Sequence, residues 1–278
     1  QFKKNYMCTG ATQKAITNNK INQIKIFLPT IKEQKFVVRI LDIIKIIIEK
    51  RKLNTNKLEY LSSSTFTKFF GKINTNSKKW EIINFGEIID GLTDYHANGS
   101  YKILKKNVKL EDKPNYALML RTADLENNNF TDKVKYINKH AYDFLKKSKV
   151  FGEEIIINKI GSAGNVYLVP NFSRPVSLGM NSFLLRIKKK AESKFVYKLL
   201  KTNYMREIIL SKVRGAVTKT ITKDAVRSLK IINPPIELQK KYTKVLDKIN
   251  LIKNYYLQSK KNIKILQNNL ETKFFKVN

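Results

Sequence analysis

Residues 10–70 recur at residues 215–275 with no gap, at a constant offset of 205, and 20 of the 61 aligned positions are identical. The first copy opens GATQKAIT and the second GAVTKTIT. Proline and glutamine then fall at matched places (Pro29 and Pro234, Gln34 and Gln239), followed by a shared Leu41-Asp42 and Leu246-Asp247. Both copies close on Thr-Lys-Phe-Phe, Thr67 to Phe70 and Thr272 to Phe275. A repeat of this length is an architectural unit, so the 144 residues between the copies form an insert that the repeat frames.

In each copy the Gly-Ala turn leads into a short strand-like run, Ile24 to Leu28 and Leu229 to Ile232, which proline stops. Residues 32–70 and 237–275 then contain neither glycine nor proline. As helix, each stretch would reach on the order of 55 Å at about 1.5 Å per residue. Ile40, Ile44, Ile47, Leu58 and Leu61 recur on three- and four-residue steps in the first stretch. Val245, Ile249, Ile252, Ile263, Leu266 and Leu270 do so in the second. That spacing predicts a helix-pairing or partner-docking seam of coiled-coil type. Its middle is polar in both copies, at Arg51 and Asn54 and at Tyr256 and Ser259.

The insert has another texture. Strand-like runs at Ala117–Leu120, Glu154–Ile157, Val166–Val169 and Ser182–Ile187 are separated by Gly, Asn and Pro. Helices are predicted near Lys139–Lys147 and Lys194–Lys212. The fold class is therefore α+β, a mixed globular domain flanked by two long helices.

Charge points to the partner. The net formal charge is +33, with 47 Lys and 8 Arg. Codon bias toward A-rich triplets explains lysine over arginine, but not why Glu, served by A-rich codons too, occurs only 13 times. Residues 72–214 alone carry 27 basic and 14 acidic side chains. The excess is spread over the chain, so the folded surface itself is expected to be positive and its partner a polyanion. The most apolar run, Ile40–Ile48, is broken by Asp42 and Lys45 and is too short to span a bilayer. No signal peptide is visible. A single cysteine (Cys8) and two histidines (His96, His140) leave no disulfide framework and little material for structural zinc. The expectation is a cytoplasmic protein with no metal or cofactor of its own. The start at Gln1 rather than Met is read as the edge of a longer chain.

Three segments have an enzyme-like look. Asn233-Pro234-Pro235-Ile236 approaches the motif with which adenine methyltransferases grip a flipped base, but Ile236 replaces the aromatic that stacks on it. Asp94 with Glu111-Asp112-Lys113 has the residue types of a metal-dependent nuclease, yet Glu-x-Lys triplets recur at Glu33 and Glu271 in this lysine-rich chain. Gly161-Ser162-Ala163-Gly164-Asn165 has the glycines of a phosphate loop without its lysine and helix. A tight hairpin is expected there, presenting Lys159, Ser162 and Asn165 to DNA. Residue types that read base edges flank the other strand-like runs: Arg121-Thr122, Asn181-Ser182 and Thr218-Lys219-Thr220.

These features resemble the specificity subunit of type I restriction-modification systems. The helical regions of that family follow a turn of the kind G-x-T-Q/K-x-x-I, a proline stop and a Glu-Gln-Lys/Arg start. Here those are Gly10 to Ile16, Pro29 and Glu33-Gln34-Lys35. The second copy has Gly215 to Ile221, Pro234-Pro235 and Leu238-Gln239-Lys240, departing where Leu238 replaces Glu. Leu120-Arg121-Thr122-Ala123-Asp124-Leu125 and Lys159 to Gly164 are similar to runs in the family's recognition domains.

The resemblance implies a non-catalytic subunit with one target recognition domain, its N-terminal counterpart missing. Residues 1–22 would be the tail of an upstream recognition domain. Residues 23–71 and 223–278 would be conserved regions with long spacer helices, forming an antiparallel coiled coil, around a recognition domain at 72–222. The implied partners are double-stranded DNA, methyltransferase subunits and, through them, the restriction subunit, or a second copy of the chain. Arg121, Thr122, Asp124, Lys159, Ser162, Asn165, Asn181, Arg214, Thr218, Lys219 and Thr220 are the expected DNA-binding residues. A stand-alone restriction endonuclease or adenine methyltransferase, and a non-specific nucleic-acid-binding scaffold, remain the alternatives.

Overall fold

The computed structural model describes residues 17–23 and 28–274. The opening turn Gly10–Ile16, residues 24–27 of the first strand-like run and Phe275 lie outside the described residues. A short helix α1 (Asn18–Asn22) precedes the long helix α2 (Ile31–Phe70). Then come β1 (Ile82–Asn84), β2 (Ile89–Asp94), α3 (Tyr101–Asn107), β3 (Ala117–Leu120), α4 (Thr122–Glu126), β4 (Lys135–Ile137) and α5 (Lys139–Phe144). Strands β5 (Lys149–Val150), β6 (Ile155–Asn158), β7 (Val166–Leu168), β8 (Val176–Leu178) and β9 (Ser182–Ile187) follow. The chain ends on α6 (Ser193–Leu200), α7 (Asn203–Ser211), α8 (Lys223–Arg227), β10 (Lys230–Ile232) and the second long helix α9 (Ile236–Phe274). Among the described residues no helix is long and apolar enough to cross a membrane.

The two long helices begin at equivalent repeat positions, and the repeated residues explain why. Gln34 Nε2 donates to the Pro29 carbonyl at 2.8 Å, and Gln239 Nε2 donates to the Pro234 carbonyl at 2.7 Å. Each glutamine thereby ties the first turn of its helix to the proline that stops the preceding run. In α2 a capping box adds to this: the Thr30 N–H donates to Glu33 at 2.9 Å and the Glu33 N–H to Thr30 Oγ1 at 3.3 Å. The Thr30 hydroxyl holds the Glu33 carboxyl below its usual range. In α9 Leu238 replaces that glutamate, and buried Gln239 instead accepts from the Glu192 N–H at 2.9 Å.

The described residues form two compact units, one holding α2 up to Tyr60 with α9 from Ile249, the other Leu61–Lys248. In the first unit the helices run antiparallel. Glu59 pairs with Lys253 at 2.8 Å, while Arg51, earlier on α2, lies 4.8 Å over the ring of Tyr256, later on α9. Still earlier, Leu41, Lys45 and Ile48 share a cavity wall with Gln267 and Glu271. Ile44 and Ile249 are buried, and Ile40, Ile47, Leu58, Ile263 and Leu270 are half-buried along the seam. The structure corrects the phase of the seam at four positions: Leu61, Val245, Ile252 and Leu266 are exposed. Lys253, Tyr256 and Gln267 are the more sheltered side chains there, because their stems pack while their polar ends find partners in Glu59, Arg51 and Glu271.

The second unit contains two four-stranded sheets, ordered β2-β9-β6-β7 and β4-β3-β8-β5, and a two-stranded ribbon β1-β10. The sheets are antiparallel except for β3 beside β8. Apolar strands such as β3 and β6 are buried on both faces. The last turns of α2 enter this core: Phe66 and Phe70 pack against Phe195 and Tyr242, with ring centroids 4.6–6.1 Å apart. The helix expected over Lys194–Lys212 is two helices. Thr202 splits it by capping α7, its hydroxyl accepting from the Met205 N–H at 3.3 Å.

Candidate nucleic-acid interface

Strand register sets which loops share one end of the domain. Asp94, the last residue of β2, lies opposite Phe183 near the start of β9, and Asn158, ending β6, lies opposite Ser182. Parallel strands β3 and β8 end together at Leu120 and Leu178. The loops after β2, β3, β6 and β8 therefore emerge side by side. Backbone hydrogen bonds join them: Gly179 N–H to the Leu120 carbonyl (2.8 Å), Lys159 N–H to Asn181 (2.7 Å) and Gly161 N–H to Lys219 (3.1 Å). Arg214 and Thr220 exchange two bonds of 2.8 Å and close a turn over residues 214–220. Gly215 makes that turn possible, with φ +100° and no room for a Cβ, which would lie 2.2 Å from the Thr218 carbonyl oxygen. The sequence-predicted residues Arg121, Thr122, Lys159, Ser162, Asn165, Asn181, Arg214, Thr218, Lys219 and Thr220 thus come from four segments onto one continuous surface.

Cations on this surface fall into two kinds. Some are bound to buried acids. The Arg121 guanidinium grips Asp124 at 2.7 and 3.1 Å, and Lys159 reaches Asp94 at 3.0 Å with Lys223 at 3.7 Å. Others are exposed and in no ion pair among the described residues: Arg214 and Lys219 in the turn, Lys105 on neighbouring α3, and Lys201, Arg206 and Lys212 on and around α7. Asp124, expected as a DNA contact, is buried with both oxygens taken by Arg121, so it orients that side chain rather than facing solvent. Its bond raises the Arg121 pKa still further.

Asn158 is the hub that the residue pattern did not reveal. It is fully buried; its amide donates to Ser162 Oγ at 2.8 Å and to Glu126 and Tyr167 at 3.5 Å, and its carbonyl accepts from Ser182 Oγ at 3.0 Å. Ser162 also donates to Glu126, and Ser182 lies 3.4 Å from the Thr122 hydroxyl. One amide therefore links the β6–β7 turn, α4 and β9 beneath the predicted contacts. We expect Asn158→Ala to lower stability by about 1–3 kcal/mol, since it removes the acceptor of the buried Ser182 hydroxyl and opens the space the amide fills. Asn158→Asp should be hurt more at pH 8 than at pH 5.5, because it sets a second carboxylate beside Glu126. Denaturant midpoints at the two pH values test both, and an alanine variant as stable as wild type would sink the hub.

Asp94 organises the neighbouring corner. Burial pushes its carboxyl up, but the hydrogen bond and charge of Lys159, the charge of Lys223 and the Ala97 N–H (3.1 Å) outweigh burial and hold it below the usual range. A depressed carboxylate contributes stability above its unfolded pKa, and that contribution is lost as pH falls through the lower folded value. Wild type should therefore exceed Asp94→Asn in stability at pH 7, with the gap closing toward pH 3. A gap independent of pH would contradict this.

The enzyme-like segments have structural roles here. The Asn233 amide donates to Glu81 at 2.8 Å just before α9, and Asp112 pairs with Lys135 at 2.5 Å. Gly161–Asn165 forms the turn of the β6–β7 hairpin, with positive φ at Gly161 and Gly164. Among the described residues no group of three or more His, Cys, Asp or Glu could hold a metal ion.

A family model, the type I restriction modification DNA specificity domain, matches residues 77–268, well over half of the chain. No curated protein matches it. Among solved structures, the S subunit of a type I restriction-modification system from M. genitalium is 18% identical, with a TM-score of 0.58 over 97% of this chain and 68% of that one. A chain from a structure of the type I R-M system is 16% identical, with a TM-score of 0.54 over 97% and 66%. The HsdS subunit from Thermoanaerobacter tengcongensis is 17% identical, with a TM-score of 0.48 over 96% and 64%. The chain thus spans about two thirds of the length of these structures, and the first two share its α+β fold. On the family match, this protein belongs to the type I restriction modification DNA specificity domain family.

Proposed function

We propose that the chain is a non-catalytic DNA reader that recognises one half of a split site and presents it to methyltransferase subunits and, through them, to a restriction subunit. The observation that carries this reading is the convergence of base-reading side chains on the loops at one end of the two sheets, with unpaired Arg214 and Lys219 in the 214–220 turn and further unpaired cations on α3 and around α7. The cations supply phosphate contacts, and Arg121, Thr122, Ser162, Asn165 and Asn181 supply sequence choice. In this reading residues 72–222 are the target recognition domain and 23–71 and 223–278 the conserved regions. A second half-site comes from a paired copy or another recognition domain, and the long helices set the spacer between half-sites. Exposed Ile252 and Leu266, with Ile43, Ile46 and Leu251, offer apolar surface for the methyltransferase subunits.

Selection from a random duplex pool tests the reading. One short motif should emerge, and incubation with DNA, magnesium and methyl donor should produce neither cleavage nor methylation. Enrichment of no motif points instead to a non-specific scaffold, and a reaction by the purified chain points to an enzyme. Removing one heptad from each long helix should change the spacer of the full site and leave the half-site intact.

A further inference from the structure

A cavity of about 360 Å³ opens on the same end of the domain, between α3, the end of β3 and the Gly179–Asn181 link. Buried Leu104, Met119 and Tyr95 line it. Tyr101 and Met180 stand at its mouth, 67% and 46% exposed. Thr122 and Asn181, both on the proposed reading surface, form its polar edge, and exposed Lys105 is beside it.

A protein that touched only phosphates would have no use for this arrangement, because exposed aromatic and thioether groups gain nothing from a phosphate chain. An unstacked base, in contrast, needs a π-surface or soft apolar walls for its faces and a few donors and acceptors for its edge. Tyr101 and Met180 offer the first, and the Thr122 hydroxyl and Asn181 amide the second. The volume lies near the lower end of the roughly 300–1,000 Å³ range of small-molecule sites, far beyond what a methyl group or a water would fill.

Resting on the DNA-reading function proposed above, we propose that this cavity receives one nucleobase of the recognised half-site, turned out of the stack. Recognition at that position then depends on how readily the base unstacks as well as on its edge, which favours a base in a weak step or pair.

Half-site duplexes carrying 2-aminopurine at each position in turn provide the test, since its emission rises when it leaves the stack. One position should brighten several-fold on binding. Val108→Trp, which fills the cavity from α3's C-terminal end, should abolish that rise and weaken half-site binding by roughly 5- to 100-fold. Binding to scrambled duplex and the salt slope should stay as in wild type. An abasic nucleotide at the bright position should weaken the wild-type complex and leave the Val108→Trp complex unchanged. Tyr101→Ala, at an exposed position, gives the same readouts if the tryptophan variant does not fold. Discrimination of half-site from scrambled DNA without any bright position overturns the cavity assignment alone. A filled cavity that preserves DNA discrimination but blocks assembly with the methyltransferase subunit assigns the site to a protein side chain and also overturns it. No discrimination at all overturns the reading function together with the cavity.

Discussion

Raising salt from 50 to 200 mM is expected to weaken the binding of duplex DNA to this chain by about 10³-fold. The number follows from the surface. Six cations, Arg214 and Lys219 on the 214–220 turn, Lys105 on α3, and Lys201, Arg206 and Lys212 on and around α7, are exposed and in no ion pair among the described residues. If each replaces a condensed counterion, log affinity falls against log salt with a slope of about −5, and a fourfold rise in salt gives roughly a thousandfold loss. Cations held by buried acids behave differently. Arg121 on Asp124 and Lys159 on Asp94 are already paired and oriented by the fold, so they contribute geometry more than counterion release. The pair Arg214→Gln and Lys219→Gln should therefore lower the slope by about 2 while preserving the preference for one sequence. Arg121→Gln should do the reverse and erase preference with little change of slope. A slope near zero for wild type would mean that this surface is not where DNA binds.

Phe70→Ala is expected to destabilise the Leu61–Lys248 unit by about 3–5 kcal/mol, enough to unfold many domains of ordinary stability. Phe70 is 1% exposed, its ring lies 4.6 Å from Phe195 and 5.1 Å from Tyr242, and its carbonyl accepts from the Trp80 indole at 2.9 Å. No neighbouring side chain is free to fill the space its loss would leave, because Phe66 and Tyr242 are buried in the same cluster. The second copy supplies a contrast. Phe275, the counterpart of Phe70, lies outside the described residues, but Phe274, the counterpart of Phe69 in the same Thr-Lys-Phe-Phe, is only half-buried, with Lys273 lying 5.9 Å over its ring. Phe274→Ala should cost less than about 1 kcal/mol by comparison with surface substitutions. Equal losses at the two positions, measured by denaturant titration, would refute this account of the core.

How much of this was legible in the sequence depended on whether the signal was local. Helix starts were readable, because Pro29 with Gln34 and Pro234 with Gln239 make their bonds within five residues. Strands Ala117–Leu120 and Ser182–Ile187 were readable because each is an apolar run, ended by Arg121-Thr122 in one case and preceded by Asn181 in the other. The phase of the helix seam was not. In α2, Ile43, Ile44, Ile46, Ile47 and Ile48 put apolar groups on every side, so spacing alone could not select the inner face. On α9, Lys253 takes a sheltered position because Glu59, 194 residues away, is there to pair with it. Two-residue strand β5 and the five-residue helix α8, capped by Thr222, were too short to leave a periodic trace.

The proposed reading surface divides in the same way. Arg121, Thr122, Lys159 and Asn181 stood out because polar residues that end or precede apolar strands emerge at sheet ends. The groups that set their geometry did not stand out. Asn158 reads as one more residue of an apolar strand, and Asp94 as half of a nuclease motif. Their roles come from partners up to 65 residues distant, which only the folded register brings together.

The most direct test of the central claim is to co-express the chain with a type I methyltransferase subunit and map methylated adenines across the host DNA. The account predicts methylation at one split motif, absent when the chain is left out and altered in one half-site by Arg121→Gln. Methylation that is unchanged without this chain, or none at all despite tight and salt-dependent DNA binding, would contradict it.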